Sequence, residues 1–390
     1  MTVRVREDPS TRERLMQAAV GLFSKKWYGT VSVAEICRSA HLSNGVFYRY
    51  FANKEIVFRQ ILERVLDLVR KALEEVRGVA PRDRLRSLSG IITSFSGEHR
   101  DLVAVFREGQ YRFFDYERRL VTIYSRALAD VLGRKVELPE YIFVFGGLRF
   151  CAIRKAFHGS QVLSESIEAI IADGLFRGLD FDPSLVFGGS ATPLPVTLDE
   201  DARGRLIRSG KRLFGEKGYF ETNIHEVTDG AGLSVGAFYT HFGSKEAFYA
   251  EIIALVGHEV RSFIARNLPP SEPSRPLNRL ERELRGLWLW LVHLSIDKAC
   301  YNIVREAEFV LPAAADDYYG AFVAGYLKNP EGNSSQGSGI DEMTAIEYLL
   351  GIAHYLGIEA AFDDSPLGAR AAVEALGHYL ARGFSDFLDK

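Results

Sequence analysis

Apolar positions near the start of the chain fall three and four apart. Leu15, Ala19, Leu22 and Phe23 share one face of a predicted helix. Ser10 and Glu13 open it as a capping box, each side chain satisfying the other residue's free amide. Ser32 and Glu35 open a second, shorter helix that carries Val33, Ile36 and Ala40. A tight turn, His41-Leu42-Ser43, leads into a third helix, NGVFYRYF, in which Phe47 and Phe51 lie one turn apart and face inward. Two short helices joined by a three-residue turn describe a helix-turn-helix. Helical periodicity continues with few strand signals: Leu62, Val65, Leu66 and Val69 form one face, and Ile252, Leu255, Val256 and Val260 another. The segments 138–158 and 341–362 read as long apolar helices rich in Gly and Ala, with final helices at 164–178 and 366–386. The expected fold class is all-α.

The pattern occurs twice. Residues 12–55 align without a gap on residues 203–246, with 17 identities in 44 positions, where chance would give roughly one in sixteen. Phe23 pairs with Phe214, Tyr28 with Tyr219, Glu35 with Glu226, Leu42 with Leu233 and Phe51 with Phe242. Arg107-Glu108 pairs with Arg305-Glu306, and Phe157, Arg177 and Gly178 pair with Phe362, Arg382 and Gly383, at progressively larger offsets. The second copy therefore carries insertions, one of them the polar stretch NPEGNSSQGSG at 329–339. Between the copies, a stretch with three prolines and the pair Gly188-Gly189 reads as a linker. The expected domains are 1–55, 56–180, a linker at 181–200, 201–246 and 247–390.

Composition narrows the class. The chain has 390 residues, 47% hydrophobic and 25% charged, with a net charge of −3, enough for several cored domains and unlike a disordered or collagen-like chain. Three distant cysteines, Cys37, Cys151 and Cys300, form no C-x-x-C pair, so no metal or disulfide framework is expected, and no cofactor. A charged N-terminus and the absence of a long uncharged apolar run give the expectation of a cytoplasmic chain with no membrane contact. A net acidic chain is an unpromising nucleic-acid binder, but residues 12–59 carry +5 and residues 203–250 carry +2, a local basic footprint in each copy.

The second helix of a helix-turn-helix enters the major groove. Ser43 and Ser234 are placed to cap it, Gly45 and Gly236 remove side-chain bulk near the groove entrance, and Asn44, Val46, Tyr48, Arg49 and Tyr50 are left for the outer face or the rim. Lys54 and Lys245 begin the next helix, where they could meet a backbone phosphate. Segment 12–55, with Phe23, Leu42-Ser43, Phe47-Tyr48, Phe51 and Lys54-Glu55, and its counterpart at 203–246 resemble the TetR family of transcriptional regulators. That resemblance implies a double-stranded DNA operator as partner. The candidate DNA-binding set is Thr30, Ser43, Asn44, Gly45, Tyr48, Arg49, Tyr50 and Lys54 in the first copy, and Ser234, Val235, Gly236, Tyr239, Thr240, His241 and Lys245 in the second.

Family members form homodimers through their last two helices; this chain, with two readers, is expected to supply all four helices of such a bundle itself and act as a monomeric pseudo-dimer, with further association left open. The outward residues differ between the copies (Asn44 against Val235, Val46 against Ala237, Arg49 against Thr240, Tyr50 against His241), so an operator with unlike half-sites is expected. A pocket for a small apolar or aromatic effector is expected inside each helical body: Phe95, Phe106, Arg107, Tyr111 and Phe114 in the first, Trp288, His293, Tyr301, Arg305 and Phe309 in the second. The functional reading is a repressor released by that effector. A helix-turn-helix regulator under protein control, or without an effector, is the alternative. No H-E-x-x-H, P-loop, G-x-S-x-G or dinucleotide motif supports an enzyme.

Overall fold

The computed structural model describes residues 9–193, 200–269, 275–328, 339–362 and 368–388, and among them every regular element is helical. The first copy opens with α1 (Pro9–Phe23), α2 (Val33–Ser39) and α3 (Asn44–Tyr50), followed by α4 (Lys54–Leu73), α5 (Pro81–Glu98), α6 (Arg100–Arg112) and α7 (Phe114–Leu132). Then come α8 (Leu138–Tyr141), a π turn at Ile142–Gly146, α9 (Gly147–His158) and α10 (Ser164–Asp173). A short helix, α11 (Pro183–Phe187), stands within the expected linker. The second copy repeats the order with α12 (Ala202–Lys217), α13 (Ile224–Ala231), α14 (Val235–His241), α15 (Lys245–Asn267), α16 (Arg279–Ile296), α17 (Lys298–Val310) and α18 (Pro312–Leu327). It ends in α19 (Glu342–Phe362), α20 (Ala369–Arg382) and α21 (Ser385–Leu388). The side chain of Ser10 and the insertion residues 329–338 lie outside the described residues.

Two compact units divide the chain, and their border is not the border between the copies. Met1–Val136 with Ala152–Ser160 form one; Glu137–Cys151 with Gln161–Lys390 form the other. The larger unit thus holds α8, the π turn and α10 of the first copy together with the whole second copy.

Within the larger unit these helices meet at close range. A side chain on Gly147 would strike the Tyr348 ring at 2.5 Å, and one on Gly351 would strike the Gly146 carbonyl oxygen at 2.5 Å. Small residues here let backbones approach as side chains elsewhere cannot. The π turn shifts the hydrogen-bond register by one residue, and the Phe143 carbonyl accepts the Tyr348 hydroxyl at 2.6 Å. The ends of α10 and α20 exchange backbone bonds: the amides of Leu175 and Phe176 donate to the Leu380 carbonyl at 2.8 Å, and that of Phe384 to Ala172 at 3.0 Å. Gly174 and Gly383, both at positive φ, mark the two crossings, where a side chain would strike backbone at 2.6 Å.

The stretch after α10 is anchored to the larger unit rather than free. Buried Arg285 donates to the carbonyls of Leu185, Val186 and Gly188 within 3.1 Å, and the Thr192 amide donates to the Asn267 side chain at 2.8 Å. The sequence missed α11 because Asp182-Pro183 is an ordinary turn signal; here Asp182 caps a helix whose second position is Ser184. Residues 194–199 lie outside the described residues.

Candidate nucleic-acid interface and body cavity

Each reader is built on an aromatic core. Phe23, Phe47, Phe51 and Phe58 are buried in the first, and Phe214, Phe238, Phe242 and Tyr249 in the second. The Tyr28 ring stands 4.9 Å from Phe58 edge-on, and Tyr219 stands 4.9 Å from Tyr249. Each fully buried ring contributes roughly 1.5–3 kcal/mol, enough to fix the short helices α2, α3, α13 and α14, which are too short to be stable alone. Reciprocal capping boxes open α2 (Ser32 and Glu35) and α13 (Asn223 and Glu226).

The candidate DNA-binding residues lie at the surface of each reader. Thr30, Ser43, Asn44, Gly45, Tyr48 and Arg49 are exposed, and Tyr50 is half-buried. Ser234, Gly236, Tyr239, Thr240 and His241 are exposed, and Val235 is half-buried. Ser234 caps α14 through the Ala237 amide at 3.2 Å, whereas Ser43 makes no such bond. Thr240 donates its hydroxyl to the Gly236 carbonyl.

Lys54 and Lys245 are placed differently from the sequence expectation. The Lys54 ammonium donates to the carbonyls of Tyr28 and Val31 at 2.8 Å and of Gly29 at 3.3 Å, and lies 4.4 Å over the Tyr28 ring. Lys245 lies 4.2 Å over the Tyr219 ring. A phosphate contact by Lys54 would compete with those three carbonyls. Partial burial lowers the pKa of both ammonium groups below that of an ordinary lysine.

Free cations differ between the readers. In the first, Lys25, Arg38 and Arg49 carry no ion pair among the described residues. In the second, Arg203, Arg208, Lys211, Arg212 and Lys217 are all engaged by carboxylates. Among the described residues, fewer cations of the second reader than of the first are left without a carboxylate partner.

The turn itself differs. His41 adopts φ 54°, where the second copy has Gly232 at φ 64°. A left-handed residue with a side chain costs about 1–2 kcal/mol, partly offset by the entropy glycine loses on folding. We expect His41→Gly to stabilise the smaller unit by about 1 kcal/mol, read as a higher urea midpoint; an unchanged or lower midpoint would contradict this.

A buried carboxylate links each body to its reader. Glu108 accepts the Tyr28 amide on both oxygens, at 3.0 and 3.1 Å. Glu306 accepts the Tyr219 amide at 2.6 Å. These residues came from the Arg-Glu pairs that the sequence singled out, but they bind backbone at the end of each reader's first helix rather than facing a cavity. Arg107 lies 5.4 Å over the Phe157 ring.

The larger unit contains a cavity of about 130 Å³ among α15–α19. Trp290, Tyr301, Tyr318, Tyr319, Phe322 and Tyr326 give it an aromatic wall, with Glu283, Arg305 and His354 as its charged and titratable members. Tyr301 and Arg305 were expected there. Trp288, His293 and Phe309 do not line it. Trp288 packs edge-on against Phe187, while His293 is buried beside Phe263. In the smaller unit a more polar hollow is bordered by Arg70, Arg84, Arg126 and Asp130 among others, and none of Phe95, Phe106, Arg107, Tyr111 or Phe114 borders it. Phe95 and Phe106 are buried core.

Glu283 accepts the Tyr326 hydroxyl at 2.8 Å, yet the surrounding protein pushes its pKa up to about 7 from an ordinary 4.5. A raised carboxyl pKa means that the fold prefers the proton. Its contribution to stability is therefore complete below about pH 4.5 and lost as pH rises through about 7. Glu283→Gln removes this dependence. We expect the variant to gain on the wild type between pH 5 and 8 by at most about 3 kcal/mol, measured by urea unfolding at both pH values. A gap that does not widen with pH would overturn the assignment.

The sequence profile described as "Bacterial regulatory proteins, tetR family" matches residues 15–61 and 206–252. The uncharacterized helix-turn-helix transcriptional regulator YuxN of Bacillus subtilis is 24% identical over 147 residues, covering 34% of this chain and 50% of YuxN. YerO of the same organism, likewise an uncharacterized transcriptional regulator, is 47% identical over 47 residues, 12% of this chain and 16% of YerO. The chain thus spans half or less of the length of these relatives. Among solved structures, the fatty acid degradation regulator FadR from Bacillus halodurans is similar at a TM-score of 0.38 and 14% identity, over 46% of this chain and 93% of that one. No helix among the described residues is long and apolar enough to cross a membrane.

Proposed function

Because the tetR-family profile matches the chain at both residues 15–61 and residues 206–252, we propose that it is a tandem member of that family of helix-turn-helix transcriptional regulators, and that one chain acts as a pseudo-dimeric repressor on an asymmetric operator. The reading is carried by the pairing of kept cores with changed surfaces. Phe47 and Phe51 match buried Phe238 and Phe242, while exposed Asn44 and Arg49 and half-buried Tyr50 correspond to Val235, Thr240 and His241. Two readers of a dimer must reach major grooves about 34–36 Å apart. The glycine contacts at 146, 147 and 351 and the exchanged bonds between α10 and α20 support four helices of one chain serving as that dimer's bundle.

Repression is released when a small aromatic effector enters the α15–α19 cavity. The cavity is the size of about one aromatic ring, and Glu283 offers its occupant a hydrogen-bond acceptor. Arg305 in its wall and Glu306 on the Tyr219 amide are neighbours on α17, so displacement of that helix reaches the second reader directly. A ligand shifts the DNA-bound population only by its difference in affinity for the two arrangements.

Selection of bound duplexes from a random pool, followed by base substitution in each half-site, tests the asymmetry. Arg49→Ala is expected to weaken binding about 10- to 100-fold and to relax base preference in one half-site only. Equal losses from the same base change in both halves would refute the proposal.

A further inference from the structure

Of five positions around the junction of α16 and α17, four are apolar in the first copy and one is a histidine, whereas all five are chemically equipped in the second. Val20, Leu68, Phe95, His99 and Leu102 align with Lys211, Glu259, His293, Asp297 and Cys300. The structure brings the second set together. One ring nitrogen of His293, a carboxylate oxygen of Asp297 and the Cys300 sulfur all lie within 4.8 Å of one another. Lys211 bridges the Asp297 and Glu259 carboxylates, at 2.6 Å from each. Cys300 points its thiol at the Asp297 carbonyl, 2.9 Å away.

Two features remain unexplained if this is a closed ion-pair network. His293 is 7% exposed, and its Nε2 has no hydrogen-bond partner; an orphaned buried polar atom costs about 1–3 kcal/mol. Glu259 Oε1 is likewise buried and unpartnered. With His293 and the thiol neutral, one ammonium faces two carboxylates, leaving one net negative charge in a mostly buried cluster. A divalent cation that displaces the Cys300 proton brings the group to neutrality.

We propose that His293, Asp297 and Cys300 form a binding site for a divalent transition metal of the zinc type. Imidazole, carboxylate and thiolate together suit a tetrahedral ion of borderline softness, with water in the fourth position. Hard oxygen-seeking cations such as Mg²⁺ are poorly served by the sulfur. Thiolate ligation displaces the Cys300 proton, so metal uptake releases it. Lys211 then acts from outside the three ligands, holding Asp297 and Glu259 in place. Because Lys211 belongs to α12, the site ties the first helix of the second reader to its body. The proposal is independent of the effector cavity, which none of the three ligands lines.

Titration of the full-length chain with Co²⁺, after chelator treatment under reducing conditions, provides the test. Expected is saturation at one equivalent, with tetrahedral visible bands and a near-ultraviolet thiolate-to-cobalt band, both lost when Zn²⁺ is added. Cys300→Ser should remove the thiolate band, and His293→Phe, the first copy's residue, should weaken uptake at least tenfold. Cys37→Ser should change neither. If Cys300→Ser fails to fold by circular dichroism, Asp297→Asn keeps the thiol and should still weaken uptake at least tenfold. Absence of saturable binding by the wild type, or a thiolate band that survives in folded Cys300→Ser, would overturn the site and leave a closed Lys211 network.

Discussion

Replacing Gly351 by valine is expected to cost the larger unit about 3 kcal/mol and to lower affinity for both half-sites together. The α-hydrogen of Gly351 faces the Gly146 and Gly147 backbone and the Phe150 Cβ, none of which can turn aside by a rotamer change. A Cβ there would lie 2.5 Å from the Gly146 oxygen, 2.6 Å from Phe150 Cβ and 3.0 Å from Gly147 Cα. Overpacking typically costs 1–3 kcal/mol when side chains can shift, and an obstruction of backbone places this site at the upper end. Gly320 in α18 is the control. Nothing lies within 4 Å of its added Cβ, so Gly320→Ala should gain up to about 1 kcal/mol from helix propensity. Urea unfolding followed by operator binding reads both. A Gly351→Val chain as stable as the wild type would show that the close approach of these helices is dispensable.

Removing the Glu306 carboxylate should separate the second reader from its body. The carboxylate accepts the Tyr219 amide at 2.6 Å, and Gly218 before it holds φ 83° with no room for a side chain against the Glu306 oxygens. Hydrogen bonds to a charged acceptor contribute about 1.5–3 kcal/mol, and a buried amide left without a partner adds its desolvation penalty. Glu306→Ala should therefore cost about 3 kcal/mol, with Glu306→Gln recovering most of the loss because its carbonyl can still accept. Glu108→Ala should weaken the first reader in the same way. Binding to duplexes carrying only one intact half-site distinguishes the two: each variant should lose affinity for its own half. Loss at both halves from either variant would show general destabilisation instead.

The readers were legible because their information is local. Capping boxes, a three-residue turn and buried aromatics at fixed spacing recur at an offset that admits no gap, so one copy verifies the other. The bodies were less so. In α16 the run Leu287-Trp288-Leu289-Trp290-Leu291 is apolar on every face, and periodicity cannot say that Trp290 meets the cavity while Trp288 packs on Phe187. His293 was visible only as a candidate pocket residue, and its neighbours Asp297 and Cys300 matter only once the α16–α17 corner folds. The Arg-Glu pairs signalled importance without direction. Their glutamates reach tyrosine amides 80 and 87 residues earlier in the chain, a relation that no helical period carries. Nor could the sequence place the compact-unit border inside α9, because that border depends on packing between segments far apart in the chain.

Mass measurement of the purified protein bound to its selected operator tests most directly the claim that one chain does the work of two subunits. The account predicts a single 43.7 kDa chain on each duplex, with both half-sites protected and unlike in sequence. Two chains on each duplex, each protecting one of two matching half-sites, would contradict it.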